Sequence, residues 1–519
     1  MQKTLKTLCI VGGGTAGWMA ATLLSSALRG SHIHITVVES ADIASIGVGE
    51  STVPSMMDFL QTSQINLKEF IQATSASFKL GIRFDDWLTT GESYFHPFGR
   101  VGKDVNGFDF YQAWLKSKAD GHTSRWVDHS PSAIMAENER FMLRPTYSQN
   151  GQSQEPSENW VLYSYAHALH LDAVQVARYL RELCFKRGVT RIEATVNNVV
   201  IDEQNFIQSL ELDNGSTVKS DFFIDCTGFK GLLIEEALQV GYQDWSEYLP
   251  CNRAVTVQTE NVSNPVPYTI ATARDTGWTW KIPLQHRTGN GYVFSSQFCS
   301  DQQAMETLLN SVTGKLINEP KIIPFVTGKR QKIWHNNCLA LGLAGGFLEP
   351  LESTAIHLVY KTLVHFIKHF PDRDFDPCNE QIFNQKIDTD YTEIRDFIIL
   401  HYCTAGRDDT DFWRWCQTMP VPESLKEKIH LFRQRGQIEH SPEQFFSSDS
   451  WCSILEGMQI RPQKYHPLLD AFDSQSLANT LSNNVQAIQD TVLKMPNHHD
   501  YIQAHCPATH QKANSKAKS

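Results

Sequence analysis

At 519 residues the chain has the mass for two or three domains, or for one large α/β body with an appended layer. It is 41% hydrophobic and 20% charged, a soluble globular composition, and no apolar run approaches the ~18 residues of a membrane span. A formal charge of −11 argues against a nucleic-acid partner, and eleven singly scattered cysteines without a CxxC pair argue against a metal site. Thiols used this way read as reduced, which predicts a cytoplasmic protein.

A strand over 8–11 opens the chain so early that no room remains for a signal peptide. A Gly-rich turn over 12–17, a helix to about 28 and a strand over 33–39 complete a βαβ unit. The stretch 148–157, rich in Gln, Ser and Asn, predicts a polar loop or lid. A helix is expected over 163–188, then strands near 191–201, 207–212 and 218–225. Asn214-Gly215 supplies a hairpin turn, since both residues tolerate positive φ. Alternating apolar residues at Val255, Val257, Trp278, Trp280 and Ile282 predict a more exposed antiparallel sheet. A last strand over 338–343 runs into a helix beginning near Ser353. From about 360 to 503 the pattern is mainly helical, with breaks at Pro371, Pro377, Pro420 and Pro462.

The run Gly12-Gly13-Gly14-Thr15-Ala16-Gly17 follows a strand and opens a helix. Small residues let the backbone turn tightly and approach a pyrophosphate, which the helix N-terminus then receives. Glu39 closes the next strand 22 residues after Gly17, where it can bond ribose hydroxyls. A Gly-rich turn without a ligand seldom meets all these conditions together. FAD rather than NAD is favoured by a second Gly-rich segment over 47–54, with Gly49 and Glu50, and by Asp225-Cys226-Thr227-Gly228-Phe229 at a strand end. Each of these could also be an ordinary turn.

Trp278-Thr279-Trp280-Lys281-Ile282-Pro283 carries a WxWxIP pattern. With the Gly-rich opening, it makes the chain resemble the flavin-dependent tryptophan halogenase family from its first strand to about Pro467. The resemblance implies an FAD-monooxygenase-like α/β body with a second antiparallel sheet and a helical C-terminal layer. The corresponding divisions are 1–360, 361–505 and a disordered tail over 506–519. It implies that Trp278 and Trp280 wall off the flavin, and that Lys79 holds or accepts hypohalous acid. Taken alone, Lys79 in Phe78-Lys79-Leu80 reads as a surface lysine with a snorkelling stem. In Gly345-Gly346-Phe347-Leu348-Glu349-Pro350-Leu351-Glu352-Ser353-Thr354-Ala355-Ile356-His357, Glu352 matches the family's catalytic glutamate. Alone, it reads as a carboxylate complementing a helix start.

By the same resemblance the amides of Thr354 and Ala355 form the halide site, with alanine standing where glycine is common. Leu343 and Ile356 should touch the flavin, and Val196 should lie near the nucleotide end. His96 and Phe98 should stack on a substrate ring, with Trp451 a looser third member. The implied chemistry begins with FAD hydroperoxide, formed from oxygen and FAD that a separate reductase has reduced. Chloride or bromide is then oxidised to hypohalous acid, which halogenates an electron-rich arene at Lys79 with the help of Glu352. The segment over 450–457 carries no Tyr-Tyr pair to grip a free amino acid, so an indole-type arene is favoured over free tryptophan. A homodimer is compatible with the family. Outside the resemblance, an FAD-dependent aromatic hydroxylase and a non-catalytic flavin-binding protein remain alternatives.

Overall fold

The computed structural model describes residues 4–40, 49–144, 160–441 and 443–509. The expected polar loop over 148–157 and the first residues of the second Gly-rich segment, Gly47 and Val48, lie outside them.

Leu8, Cys9, Ile10 and Val11 are all buried, as a strand covered on both faces requires. Strand Thr7–Val11 lies between His34–Glu39 and Phe222–Asp225, parallel to both. Thr190–Glu193 and Cys338–Ala340 extend this parallel sheet on either side, and the short strand Trp334–His335 closes one edge antiparallel. The turn leaving the first strand can be made only by glycine. Gly12 sits at φ 116°, and a Cβ there would stand 2.3 Å from the Cys226 carbonyl oxygen. A Cβ at Gly17 would stand 1.9 Å from the Gly12 carbonyl oxygen, so helix Thr15–Ala27 starts pressed against the sheet.

Asp225, at the end of its strand, fixes the floor beside that turn. Its buried carboxylate accepts from the Thr227 amide and hydroxyl through Oδ1, at 3.0 and 2.7 Å. Through Oδ2 it accepts from the Leu233 and Ile234 amides at 2.7 and 2.9 Å, holding the wide turn Leu232–Ala237 in place.

The second large sheet has seven strands, in the order Lys321–Pro324, Arg253–Thr259, Thr288–Phe294, Gly277–Pro283, Thr269–Arg274, Gly81–Asp85 and Ser93–Pro97. It is antiparallel except where Gly81–Asp85 meets Thr269–Arg274. The expectation of an exposed sheet is corrected, since Trp278, Trp280 and Ile282 are all buried. They belong to the main core, while helix Asp301–Ser311 covers Val255, Val257, Tyr292 and Phe294 with Ala304 and Leu308.

The helix expected over 163–188 is divided. Ala168–Asp172 is a buried strand that pairs with Gly49–Ser51 on one side and Ser77–Lys79 on the other. The helix proper is Ala173–Lys186, with the Asp172 side chain accepting from the amides of Val174 and Gln175. A short run buried on every side has no periodicity to separate strand from helix. The division matters because one strand now carries Glu50 on one flank and Lys79 on the other. The last strand also ends earlier than expected, at Ala340, where Gly342 adopts φ 63° and a short 3-10 turn begins.

The C-terminal residues are helical and share the main core: Phe397, Leu455 and Leu481 belong to the same apolar cluster as Leu8 and Trp278. Cys506 and Ala508, assigned by sequence to a disordered tail, are buried, and the Ala508 amide donates to Gln285 Oε1 at 2.8 Å. Residues 510–519 lie outside the described set. Among the described residues no helix is long and apolar enough to cross a membrane.

The Asp225 clamp generates a test. Asp225→Ala leaves several buried amides without an acceptor and should lower folding stability by about 3 kcal/mol, read from denaturant unfolding. A loss within measurement error would remove Asp225 from this role.

Candidate active site

A cavity of about 780 Å³ opens where the strands of the first sheet end, against the face of the second. That is within the roughly 300–1,000 Å³ typical of ligand pockets and suits a long ligand. At one end it is lined by Gly12, Gly14, Thr15, Ala16, Glu39 and Val196. Gly17 does not line it but permits the close approach of helix and turn. Helix Thr15–Ala27 points its free N-terminal amides at this end, the arrangement that receives a pyrophosphate. A Cβ at Gly13 would fall 1.5 Å from Glu39 Oε2, so the turn brings backbone and carboxylate together. Glu39 Oε2 accepts from Trp18 Nε1 at 3.1 Å, and Oε1 pairs with Arg191, with Arg181 at 3.6 Å. Arg178, which also lines this end, adds a further cation to the mouth.

The other end is lined by Gly49, Glu50, Trp278, Trp280, Leu343, Ile356 and Ala355. The two indoles stand 6.0 Å apart on the same strand face, as the alternation predicts. Burial pushes the Glu50 carboxyl up to about 7. Thr354 is buried just outside the lining, whereas the Ala355 side chain is exposed toward the cavity. Both stand at the start of the 14-residue helix Ala355–Lys368, whose first amides have no partner within the helix. The glycine cradle, the acid at a strand end and the apolar far wall together fit FAD.

Behind this end Lys79, Glu352, His96 and Phe98 pack in a buried cluster, the Lys79 chamber. Lys79 is fully buried, and its Nζ donates to the Thr52 carbonyl at 3.0 Å and to Ser353 Oγ at 2.9 Å. The same Nζ stands 4.9 Å from the centre of the Phe98 ring. Burial lowers the Lys79 ammonium to about 7, against a raising contribution from Glu352. The snorkelling reading therefore does not describe this lysine. Glu352 is also buried, with Oε2 accepting from His96 Nδ1 at 2.9 Å and Oε1 standing 2.9 Å from His401 Nε2. Burial works to raise this carboxyl, but the two imidazoles overcome it and hold it down to about 2.

The structure thus brings Lys79, Glu352, His96 and Phe98 together, in an arrangement that differs from the sequence reading in two respects. Ser353, to which the sequence reading gave no role, takes a hydrogen bond from Lys79. His96 holds the carboxylate with one nitrogen, leaving Nε2 buried and without a partner among the described residues, so the ring serves Glu352 as well as the chamber wall. Trp451 is buried at right angles to Phe397, 4.8 Å away, while Phe397 stacks on Phe446 at 3.7 Å and lies 5.7 Å from His96. Trp451 therefore backs Phe397.

Sequence reasoning missed His401, Tyr402, Glu349, Phe397 and Phe446. Glu349 accepts through Oε2 from Trp278 Nε1 at 2.9 Å and from the Tyr402 hydroxyl at 2.7 Å. The pair Glu349 and Glu352, three apart after a Gly-Gly turn, was a visible signal for one of them. His401 and Tyr402 sit in a 27-residue helix, Pro377–Cys403, where nothing in the spacing separates them from core residues.

A dinucleotide cavity ending at a tryptophan wall, with a buried lysine and carboxylate behind it, defines a flavin-dependent halogenase. The chain belongs to the tryptophan halogenase family, whose profile matches residues 7–474. The flavin-dependent halogenase BrvH from Brevundimonas sp. BAL3 superposes with a TM-score of 0.90 at 42% identity, covering 97% of this chain and 99% of that one. Xcc4156, a flavin-dependent halogenase from Xanthomonas campestris, gives a TM-score of 0.91 at 39% identity, with the same coverage. Tryptophan 6-halogenase SttH of Streptomyces toxytricini is 32% identical over 515 residues, 95% of this chain and 97% of its own length. Membership implies FAD and a halide.

The Lys79 environment makes a signed prediction. Because the Glu352 charge raises the Lys79 midpoint, Glu352→Gln should shift it below its starting value of about 7. Lysine side-chain NMR titration reads this directly. An unchanged or raised midpoint would show that the two groups do not interact.

Proposed function

We propose that the chain halogenates an indole-type arene, with Lys79 and Glu352 as the reacting pair. The observation that carries this reading is the buried lysine, bonded to Ser353, beside a carboxylate that two imidazoles keep ionised. Reduced FAD, delivered by a separate reductase, supplies with oxygen the oxidation of chloride or bromide to hypohalous acid.

The residues of the chain do the rest. The Thr354 and Ala355 amides, at a helix start, suit a halide ion. Trp278 and Trp280 keep the arene out of the flavin cavity. The Lys79 side chain, a mobile donor on a flexible stem, holds the hypohalous acid where Arg could not substitute. Phe98 and His96 offer faces for a flat ring. The carbon–halogen bond forms as the oxygen–halogen bond breaks, the departing hydroxide takes a proton from the Lys79 ammonium and leaves as water, and Glu352 receives the ring proton, which is then returned to Lys79. A carboxylate held at about 2 is a weak base, yet it suffices for a cationic ring carbon that sheds its proton readily.

Relatives such as SttH and RebH are named as tryptophan 6- and 7-halogenases. A neutral indole suits this chamber better than a free amino acid. The rings packed around His96 there are Phe98, Phe397 and Phe446, and the charged side chains nearby are already engaged. Lys79 binds Ser353, Glu352 binds His96, and Glu393 accepts from the amides of Phe445 and Phe446 at 3.0 and 2.9 Å.

The assay supplies FAD, a flavin reductase, NADH, oxygen and either chloride or bromide with a panel of indoles, and reads products by mass spectrometry. Halogenated indole is expected, with free tryptophan the poorer substrate. Lys79→Ala should abolish halogenation while FAD binding persists, and Glu352→Gln should slow it by roughly 10²-fold. Oxygenated product without halogen would point to a hydroxylase. Halogenation retained by Lys79→Ala would overturn the assignment of the lysine.

A further inference from the structure

Of the carboxyls near the flavin cavity, Glu349 has the least ordinary surroundings. It is completely buried, and both of its hydrogen bonds, from the Trp278 indole and the Tyr402 hydroxyl, fall on Oε2. Oε1 is buried with no partner among the described residues. Burial pushes this carboxyl up to about 7, against the lowering effect of its two donors. Burying a carboxyl is a costly way to satisfy one indole N–H. Nearby indoles manage with backbone carbonyls: Trp87 donates to Ala271 at 3.1 Å and Trp413 to Arg274 at 2.8 Å.

The placement gives the cost a purpose. Leu348 and Pro350, on either side of Glu349, line the flavin cavity, as does the Trp278 ring that it holds. Three residues on, Glu352 faces the Lys79 chamber. Consecutive residues of one helix, His401 and Tyr402, contact Glu352 and Glu349 respectively. A single helical turn therefore fixes both the reacting carboxylate and the orientation of the wall. A wall that separates two compartments works only if its ring cannot swing, and a directional hydrogen bond to a rigid acceptor prevents that.

We propose that Glu349 is a positioning residue that locks the Trp278 indole across the boundary between the flavin cavity and the Lys79 chamber, so that the oxidant made on one side is delivered to the other. The inference rests on the halogenase reading given above. The Tyr402 hydroxyl completes the clamp, with Cys251 Sγ 3.6 Å beyond it.

The test compares Glu349→Leu, Glu349→Gln and Tyr402→Phe with the unaltered chain, using the reductase-coupled assay with indole and bromide. A freely diffusing 1,3-diketone in the buffer captures escaped oxidant. Glu349→Leu should lower the ratio of halogenated indole to halogenated diketone by roughly tenfold, since misplacing a positioning group costs far more than its bond. Glu349→Gln keeps an acceptor for both donors and should stay close to the unaltered ratio. Tyr402→Phe, which removes one hydroxyl and keeps the ring packing, should move the ratio in the same direction as leucine, and it carries the test if Glu349→Leu folds poorly. Independently of turnover, near-ultraviolet circular dichroism of the flavin-free protein should lose intensity in the leucine variant, and bound oxidised FAD should fluoresce more strongly. Folded Glu349→Leu or Tyr402→Phe protein with an unchanged ratio overturns the clamp. An unaltered chain that halogenates nothing overturns the parent reading instead.

Discussion

The arrangement depends on keeping one carboxylate ionised away from solvent. Moving a carboxylate out of water costs several kcal/mol unless partners replace its hydration. Glu352 is buried, yet its carboxyl is held far below the ordinary range, because His96 and His401 approach its two oxygens from two different elements: an edge strand of the second sheet and the last turn of a long helix. Lys79 arrives from a third element, the small sheet built on Ala168–Asp172. Removing any one of these elements leaves a buried charge without its counterpart. The packing of sheet, helix and small sheet is therefore fixed by the same contacts that prepare the site.

The segment from Gly346 to Ser353 connects the two compartments. Gly346, Phe347, Leu348, Pro350 and Leu351 line the flavin cavity, while Glu352 turns away into the chamber. Ser353 then adopts a left-handed conformation, φ 62°, and presents its hydroxyl to Lys79 while the next helix begins. A small reactive oxidant could otherwise meet any aromatic or thiol near its origin. In the proposed mechanism its source and its acceptor stand on two sides of this one short segment, which limits the distance over which it must be contained.

Much of this was legible from sequence where the chemistry is local. The Gly-rich opening, Glu39 and the paired tryptophans are contiguous patterns whose geometry follows from one turn or one strand, and Gly12 to Ala16, Glu39, Trp278 and Trp280 line one cavity. Lys79 and Glu352 were recoverable only through resemblance, because nothing in the spacing reveals that residues so far apart become neighbours. His96 was read as a stacking ring, since an aromatic heterocycle beside Phe98 looks like one; its bond to Glu352 spans 256 positions. The strand Ala168–Asp172 was hidden for a different reason. It is buried at every position, so it lacks the alternation that distinguishes strand from helix.

Three acids near the boundary show that partners, rather than burial, decide the charge. Among the described residues Glu50 and Glu349 have no cation against them, and burial carries both carboxyls up to about 7. Glu349 even accepts two hydrogen bonds, but neutral donors do not offset the loss of water. Glu352 is as deeply buried as Glu349 and sits three residues away, yet it is held at about 2 by two imidazoles. The acid that remains charged is the one beside the lysine, which in the proposed mechanism takes a proton from a ring carbon. The acid that tolerates neutrality is the one that accepts from the Trp278 indole, and the proposed clamp needs an acceptor but no charge.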